Sequence, residues 1–269
     1  MDANLKIMGI VNINHDSFYC GSRVSGVRQF NARVRKLIAG GADAIDIGAC
    51  SSRPGSEYPG VAEEWRRLEP VLRAVRRYFP GQLISIDTFS ADIVQRAFDI
   101  IGPFMVNDIT AGQSDPELLP LVSRLGLQYI AMHNQNPPAI EGKEIRRLSD
   151  GEGDIVARVA GFFRNFEKRA AEAGLNDWIL DPGFGFGKDV DENLELLDRL
   201  DELKVFGREI LAGISRKRMT YQRQGTKPED DETLAETRRL QDIAVERGAT
   251  WLRVHDVGGI TPGRACAMN

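Results

Sequence analysis

Residues 27–48, VRQFNARVRKLIAGGADAIDIG, hold the unit from which the rest of the chain is built. An amphipathic stretch over 27–40 runs into the Gly40-Gly41 turn, and a short apolar run rich in β-branched residues follows over 43–48. The same rhythm extends both ways. Strand-like runs occur at 5–12 (LKIMGIVN), 43–48 (DAIDIG), 82–87 (QLISID), 104–107 (FMVN), 127–132 (LQYIAM), 177–181 (DWILD), 209–213 (EILAG) and 250–254 (TWLRV). Helical periodicity fills the intervals at 27–40, 61–78, 90–101, 116–125, 153–173, 191–203 and 233–248. In 61–78 the apolar positions are Trp65, Leu68, Val71, Leu72 and Val75; in 153–173 they are Ile155, Val159, Phe162, Phe163 and Phe166. Gly126, Gly174 and Gly248 stand where helices should stop.

Eight strands alternating with helices within 269 residues fit a single-domain α/β protein, a (β/α)8 TIM barrel over 1–269. An open doubly wound sheet of the same elements is the competing architecture. The polar, Pro- and Gly-broken stretch 136–154 reads as an extended loop after the fifth strand, not a domain boundary.

Composition removes several classes of function. Lys and Arg number 35 against 39 Asp and Glu, a net charge of −4, so no broad basic field for nucleic acid is expected. No apolar run is long enough to span a bilayer, and the N-terminal residues lack the pattern of a signal peptide. Cys20, Cys50 and Cys266 form no CxxC pair, which favours a reducing, cytoplasmic setting over a disulfide framework.

Barrel enzymes place their chemistry at the C-terminal ends of the strands. Here those ends carry Asn12 (with Asp16 beyond), Asp46, Asp87, Asn107 and Asp108, His133, Asp181, the triplet Ser215-Arg216-Lys217, and Arg253 with His255. A single acid there is more often a loop or helix cap. Many on one rim point to a shared pocket. Asp87, Asn107 and Asp181 suit a flat heterocycle with an edge of N–H donors and a carbonyl. Ser215, Arg216, Lys217, Arg53 and His255 suit an anion. The bland alternatives are an exposed charge run at 215–217 and a core pair between Asp87 and a lysine such as Lys217. DPGFGFGK (181–188) fits neither GxxxxGK[ST] nor GxGxxG, so no nucleotide loop is read there. Its glycines allow close backbone approach to a flat ligand beside Phe184 or Phe186, or form a plain turn. The three histidines, His15, His133 and His255, make no zinc motif, whereas Mg²⁺ would need little more than one oxygen such as that of Asn12.

The motifs MGIVNINHDSF, GADAIDIG, SSRPG, SIDT, VNDI, MH, DPGFGFGK, SRK and RVHDV, in this order over about residues 7–257, resemble the dihydropteroate synthases, a pterin-binding family. The resemblance implies a (β/α)8 barrel that condenses 6-hydroxymethyl-7,8-dihydropterin diphosphate with p-aminobenzoate, releasing diphosphate, with Mg²⁺, as a cytoplasmic homodimer and sulfonamide target. It implies pterin contacts from Asp87, Asn107, Asp181 and Lys217, with Asp46 bracing the site and Met132, Gly185 and Phe186 lining the slot. Asp87, Asp181 and Lys217 would be the catalytic residues. Asn12, Ser52, Arg53, Arg253 and His255 would take the diphosphate, Asn12 through Mg²⁺. Phe18, Ser52, Arg53, Pro54 and Ser215 would frame p-aminobenzoate.

Three segments depart from the family pattern, one of them Asn134-Gln135-Asn136 after His133, where the family favours Met and Gln-Gly. NINHDSF stands for NVTPDSF, and Ala49-Cys50-Ser51-Ser52-Arg53-Pro54-Gly55 stands for GESTRPG. The expectation is ordinary pterin binding with altered p-aminobenzoate or sulfonamide discrimination. A corrinoid-dependent methyltransferase on the same barrel, or a pterin-binding module without catalysis, are the rival readings.

Overall fold

The structure, a computed structural model, describes residues 5–13, 26–50 and 58–260. Its strands are β1 (Lys6–Asn12), β2 (Ala44–Gly48), β3 (Leu83–Asp87), β4 (Met105–Asp108), β5 (Gln128–Met132), β6 (Trp178–Asp181), β7 (Leu211–Ala212) and β8 (Trp251–Val254). The helices among the described residues are α1 (Val27–Ala39), α2 (Val61–Tyr78), α3 (Ala91–Ile101), α4 (Leu118–Leu125), α5 (Ile155–Glu172), α6 (Val190–Asp198) and α7 (Asp231–Glu246). All strand pairs are parallel, in the order β6-β5-β4-β3-β2-β1-β8-β7. The ring is completed between β6 and β7 by one bridge, Leu180 to Ile210, with the Leu180 N–H donating to the Glu209 carbonyl at 2.9 Å. This is the nearly closed (β/α)8 barrel expected from the strand count, and it excludes the open sheet.

Side chains alternate across each strand, so one set faces the helices and the other the barrel axis. Ile7, Val11, Ile45, Ile47, Ile84, Ile86, Tyr129, Trp178 and Val254 pack outward in the main core with the helices. Met8, Ala44, Met105, Ile130, Ile179, Leu211 and Trp251 form a separate apolar layer inside. Two residues further along the same strands stand Ile10, Asp46, Asn107, Met132, Asp181, Gly213 and Arg253. Period two therefore puts the polar residues directly above a dry floor.

Two segments differ from the sequence expectation. The seventh strand shortens from five residues to Leu211–Ala212. The helix expected over 191–203 ends at Asp198 and passes into a 3₁₀ stretch, Leu200–Phe206, stopped by Gly207 at φ +61°. The three-residue period of that stretch keeps Leu200 and Leu203 on one buried face. No helix or strand lies between Met132 and Ile155. That segment is nevertheless fastened: Gln113 accepts from the Leu148 N–H at 2.8 Å and donates to the Asn134 carbonyl at 3.0 Å.

Candidate active site

Asp46 is the centre of the polar layer and is fully buried. It accepts from Ser85 Oγ at 2.6 Å, from Asn107 Nδ2 at 3.3 Å, and from Arg253 Nε at 2.7 Å. The Arg253 guanidinium forks, its Nη2 donating to Asp87 Oδ2 at 2.9 Å. Strands β2, β3, β4 and β8 are thus tied by one network. Burial opposes the charge of Arg253, but Asp46 and Asp87 more than offset it and hold its pKa above the ordinary value. Burial pushes Asp87 up to about 7; Arg253 pulls it down, while Asp46 and Glu64 repel its negative form.

The opposite wall comes from β6, β7 and the turns after them. Gly183 N–H donates to Asp181 Oδ1 at 2.8 Å. A Cβ placed on Gly213 would lie 3.6 Å from Lys217 Nζ and 3.9 Å from Asp181 Oδ2, so both charged groups stand over the end of β7. Lys217 Nζ donates to the Phe184 carbonyl at 2.6 Å and sits 4.7 Å from the centre of the Phe186 ring. Burial pushes Lys217 down to about 8 against the pull of Asp181. Burial also raises Asp181 above the usual carboxylate range, with Lys217 opposing. Gly185 has φ +79°, and a Cβ there would meet Lys217 Cδ at 3.0 Å. A side chain at 185 would therefore crowd the lysine.

At the seam of β8 and β1, His255 Nδ1 lies 3.1 Å from Ser215 Oγ. Burial and the neighbouring cations, Arg253 first, push the imidazole pKa well below its ordinary value, so it is neutral at pH 7. Asn12 ends β1, and its Oδ1 would lie 3.4 Å from a Cβ on Gly48, whereas Asp87 Oδ2 would lie 3.5 Å from the same point. Asp87 Oδ2 is engaged by Arg253, so the Asn12 amide oxygen is the one that suits a hard divalent cation taking its remaining ligands from phosphate and water. Among the described residues no group of three His, Cys, Asp or Glu forms a metal cage.

The structure thus gathers Asp46, Asp87, Asn107, Met132, Asp181, Gly185, Phe186, Lys217 and Arg253 at one mouth, with Asn12, Ser215 and His255 on its β8–β1 side. Phe18, Ser52, Arg53 and Pro54 lie outside the described residues, as do His15 and Asp16.

Several rim assignments need correction. Asp108 points outward and caps a turn, accepting from Thr110 N–H at 2.6 Å, Gly112 N–H at 2.7 Å and the Tyr129 hydroxyl. Strand alternation places it opposite Asn107. Ser215-Arg216-Lys217 is neither one anion site nor an exposed charge run. Arg216 takes φ +54°, which turns its buried side chain to Asp256, 2.9 Å away, and to the Pro228 carbonyl. The cation paired with Asp87 is Arg253, and Lys217 lies by Asp181.

Three participants were not singled out from sequence. Ser85 shares an inward face with Asp87, so period two marks it. Glu64 falls on the apolar stripe of α2 with Leu68, Val71 and Val75, and an acid on such a stripe is a signal. It accepts from the Tyr58 hydroxyl at 2.6 Å, is also hydrogen-bonded with Thr88 and Cys50, and is pushed up to about 7 by burial. Cys50, where the family pattern has Glu, therefore stands beside a carboxyl supplied by α2. The third is Lys188.

An enzyme on a (β/α)8 barrel, with acids and cations converging at its mouth, is the class that fold and site define. The pterin binding enzyme family matches residues 8–255. A dihydropteroate synthase of Streptococcus pyogenes is 36% identical over 260 residues, covering 96% of this chain and 92% of the relative. A dihydropteroate synthase from Coxiella burnetii, solved in complex with pteroic acid, aligns with a TM-score of 0.81 at 30% identity over 94% of this chain and 88% of that one. One from Xanthomonas albilineans in complex with 7,8-dihydropteroate gives 0.76 at 32% identity over 94% and 88%. The chain belongs to the pterin-binding enzyme family, among its dihydropteroate synthases, transferases of folate biosynthesis.

Proposed function

We propose that the mouth catalyses attack of p-aminobenzoate on 6-hydroxymethyl-7,8-dihydropterin diphosphate, giving 7,8-dihydropteroate and diphosphate, with the residue roles that follow. The ring edge lies against Asp87, Asn107 and Asp181, with Lys217 at its carbonyl. Met132, Gly185 and Phe186 line the slot, and Asp46 braces it through Asn107 and Arg253. The methylene C–O bond to diphosphate breaks first, and the ring delocalises the positive charge left behind. Asp87 and Asp181, held in a dry pocket, stabilise that charge electrostatically. The neutral aryl amine forms the new C–N bond and loses a proton. No covalent intermediate with the enzyme is needed.

Diphosphate leaves on the β8–β1 side, where Asn12, Arg253 and His255 are seated. These strands are hydrogen-bonded neighbours, which supports a single anion seat there. His255, being neutral, serves as a hydrogen-bond partner and not as a charge. Mg²⁺ would be held by Asn12 together with diphosphate oxygens, and when bound it neutralises the leaving group's charge. Ser215 is assigned to p-aminobenzoate, with Phe18, Ser52, Arg53 and Pro54, the last three of which follow Cys50. Ser52 and Arg53 are also assigned to the diphosphate. The replaced residues at 13–15 and 50 carry the proposal of altered sulfonamide discrimination. Among the described residues no helix is long and apolar enough to cross a membrane. We place the enzyme in the cytoplasm as a homodimer.

The observation that carries this reading is the convergence of Asp46, Asp87, Asn107, Asp181, Lys217 and Arg253 from six strand ends. Its test is diphosphate release from pterin diphosphate, p-aminobenzoate and Mg²⁺. Release stimulated by the amine, with 7,8-dihydropteroate formed, is expected; release that the amine does not stimulate, or none, overturns the reading.

A further inference from the structure

Lys188 closes the turn DPGFGFGK and is only 7% exposed. Its ammonium donates to the Gly183 carbonyl at 2.9 Å and the Phe186 carbonyl at 3.2 Å, and its third contact is His133 Nδ1 at 2.8 Å. The Asp150 carboxylate, 2.9 Å from His133 Nε2, accepts the proton carried there, which leaves Nδ1 to accept from Lys188. Gln135 donates to the same carboxylate. Burial pushes Lys188 down to about 7 against the pull of Asp181. The histidine ring is further held edge-on against Phe162, with centroids 4.8 Å apart.

This chain, from Asp150 through His133 to Lys188, fastens the turn after β6 to the end of β5. The approach is close: Gly183 has φ +71°, and a Cβ on it would stand 2.1 Å from the His133 carbonyl. Every group the turn supplies to the mouth depends on that placement. Gly183 N–H bonds Asp181, the Phe184 carbonyl receives Lys217, and Phe186 lies beside the Lys217 ammonium. Lys188 spends its hydrogen bonds on the turn's own carbonyls and on His133, while Asp181 and Lys217 are the first charged groups to act on it.

We propose that Lys188 is a positioning residue for the pterin half of the reaction, acting through the 181–188 turn and held by His133 and Asp150. The proposal rests on reading the mouth as the pterin site. Turnover by the unaltered enzyme tests that reading, and the variants below test the inference alone.

Steady-state KM for each substrate is measured for Lys188→Met, which keeps the chain length and removes all three donors, and for His133→Leu and His133→Asn. Lys188→Met and His133→Leu should raise KM for pterin diphosphate at least about tenfold and leave KM for p-aminobenzoate within about twofold. His133→Asn, whose Oδ1 can still accept from Lys188, should restore the pterin KM to within about threefold of the unaltered enzyme. A merely structural role would shift both KM values together and would not distinguish Asn from Leu. Equal rises for both substrates, an unchanged pterin KM, or His133→Asn behaving as Leu each overturn the proposal. If Lys188→Met does not fold, the two His133 variants decide it.

Discussion

The barrel interior has two layers separated by two residues on the same strands. Ala44, Met105, Ile130, Ile179 and Trp251 make the lower one; Asp46, Asn107, Met132, Asp181 and Arg253 follow in register above. The lower layer loses nothing by being dry, because it has no polar atom to satisfy apart from the Trp251 indole N–H, which reaches Glu209 at 3.2 Å. The upper layer pays for dryness in desolvated charge and recovers part of it by pairing. Dry packing and chemistry lie two residues apart here, so the lower layer bears on stability alone and the upper layer on both.

The largest effect is expected where the upper layer loses its counter-charge. Arg253→Met leaves Asp46 fully buried without a cation and Asp87 without its ion pair. Breaking a buried pair in this way costs about 3–5 kcal/mol, read as a lower urea midpoint, and turnover should fall as well. A midpoint unchanged from the unaltered enzyme would mean that Arg253 is not the network's counter-ion.

In the lower layer, Ile130→Ala should cost about 3 kcal/mol through the cavity it leaves. Its kcat/KM should stay within about threefold, since Ile130 touches the floor and not the mouth. Met132, next on that face, lines the slot. If Ile130→Ala cost activity more than stability, the two layers would be coupled and the division would fail.

Asp87→Asn and Lys217→Ala should lower turnover at least about tenfold, each removing a charge-assisted contact to the ring. Asp87→Asn should not lower the melting temperature at pH 8, because it removes a charge that burial disfavours, whereas Lys217→Ala leaves buried Asp181 without its cation and should lower it. Near-normal rates in both would refute the site assignment.

How far sequence reached follows the same division. The strands were readable because they are short apolar runs, most of them preceded by a glycine turn. Asp46, Asp87, Asn107 and Asp181 are legible because each stands at or near a strand end, but strand ends alone also put Asp108 on that rim, and alternation turns it outward. Pairing was not readable. Arg253 meets acids 207 and 166 residues away only because the barrel sets β8 beside β1, with β2 and β3 following. Arg216 turned away because of a backbone angle that no residue pattern announces. Lys188 was visible as a letter in DPGFGFGK, but its three acceptors come partly from β5, which sequence does not bring near.

The smallest effect within the working range is on pH dependence, and its sign separates the upper layer's two charges. Asp87 titrates near 7 and Lys217 near 8 in the folded enzyme. If catalysis needs the carboxylate and the ammonium, kcat/KM for pterin diphosphate falls below pH 7 and again above pH 8. Asp87→Asn should remove the acid limb and Lys217→Ala the alkaline one, in whatever activity remains. Stability obeys a different sign for each group. The folded pKa of Asp87 is raised from 3.8, so the stability it contributes is fully present below 3.8 and is lost as pH rises toward 7. That of Lys217 is lowered from 10.5, so the cost of burying its ammonium is relieved as pH rises from 8 toward 10.5. Asp87→Asn should therefore raise the melting temperature at pH 8 and leave it nearly unchanged at pH 4, where the native carboxyl is already protonated. A variant equally stabilised at both pH values would show that the gain comes from packing, and the acid limb would then belong to another group, of which Glu64, also near 7, is the first to test.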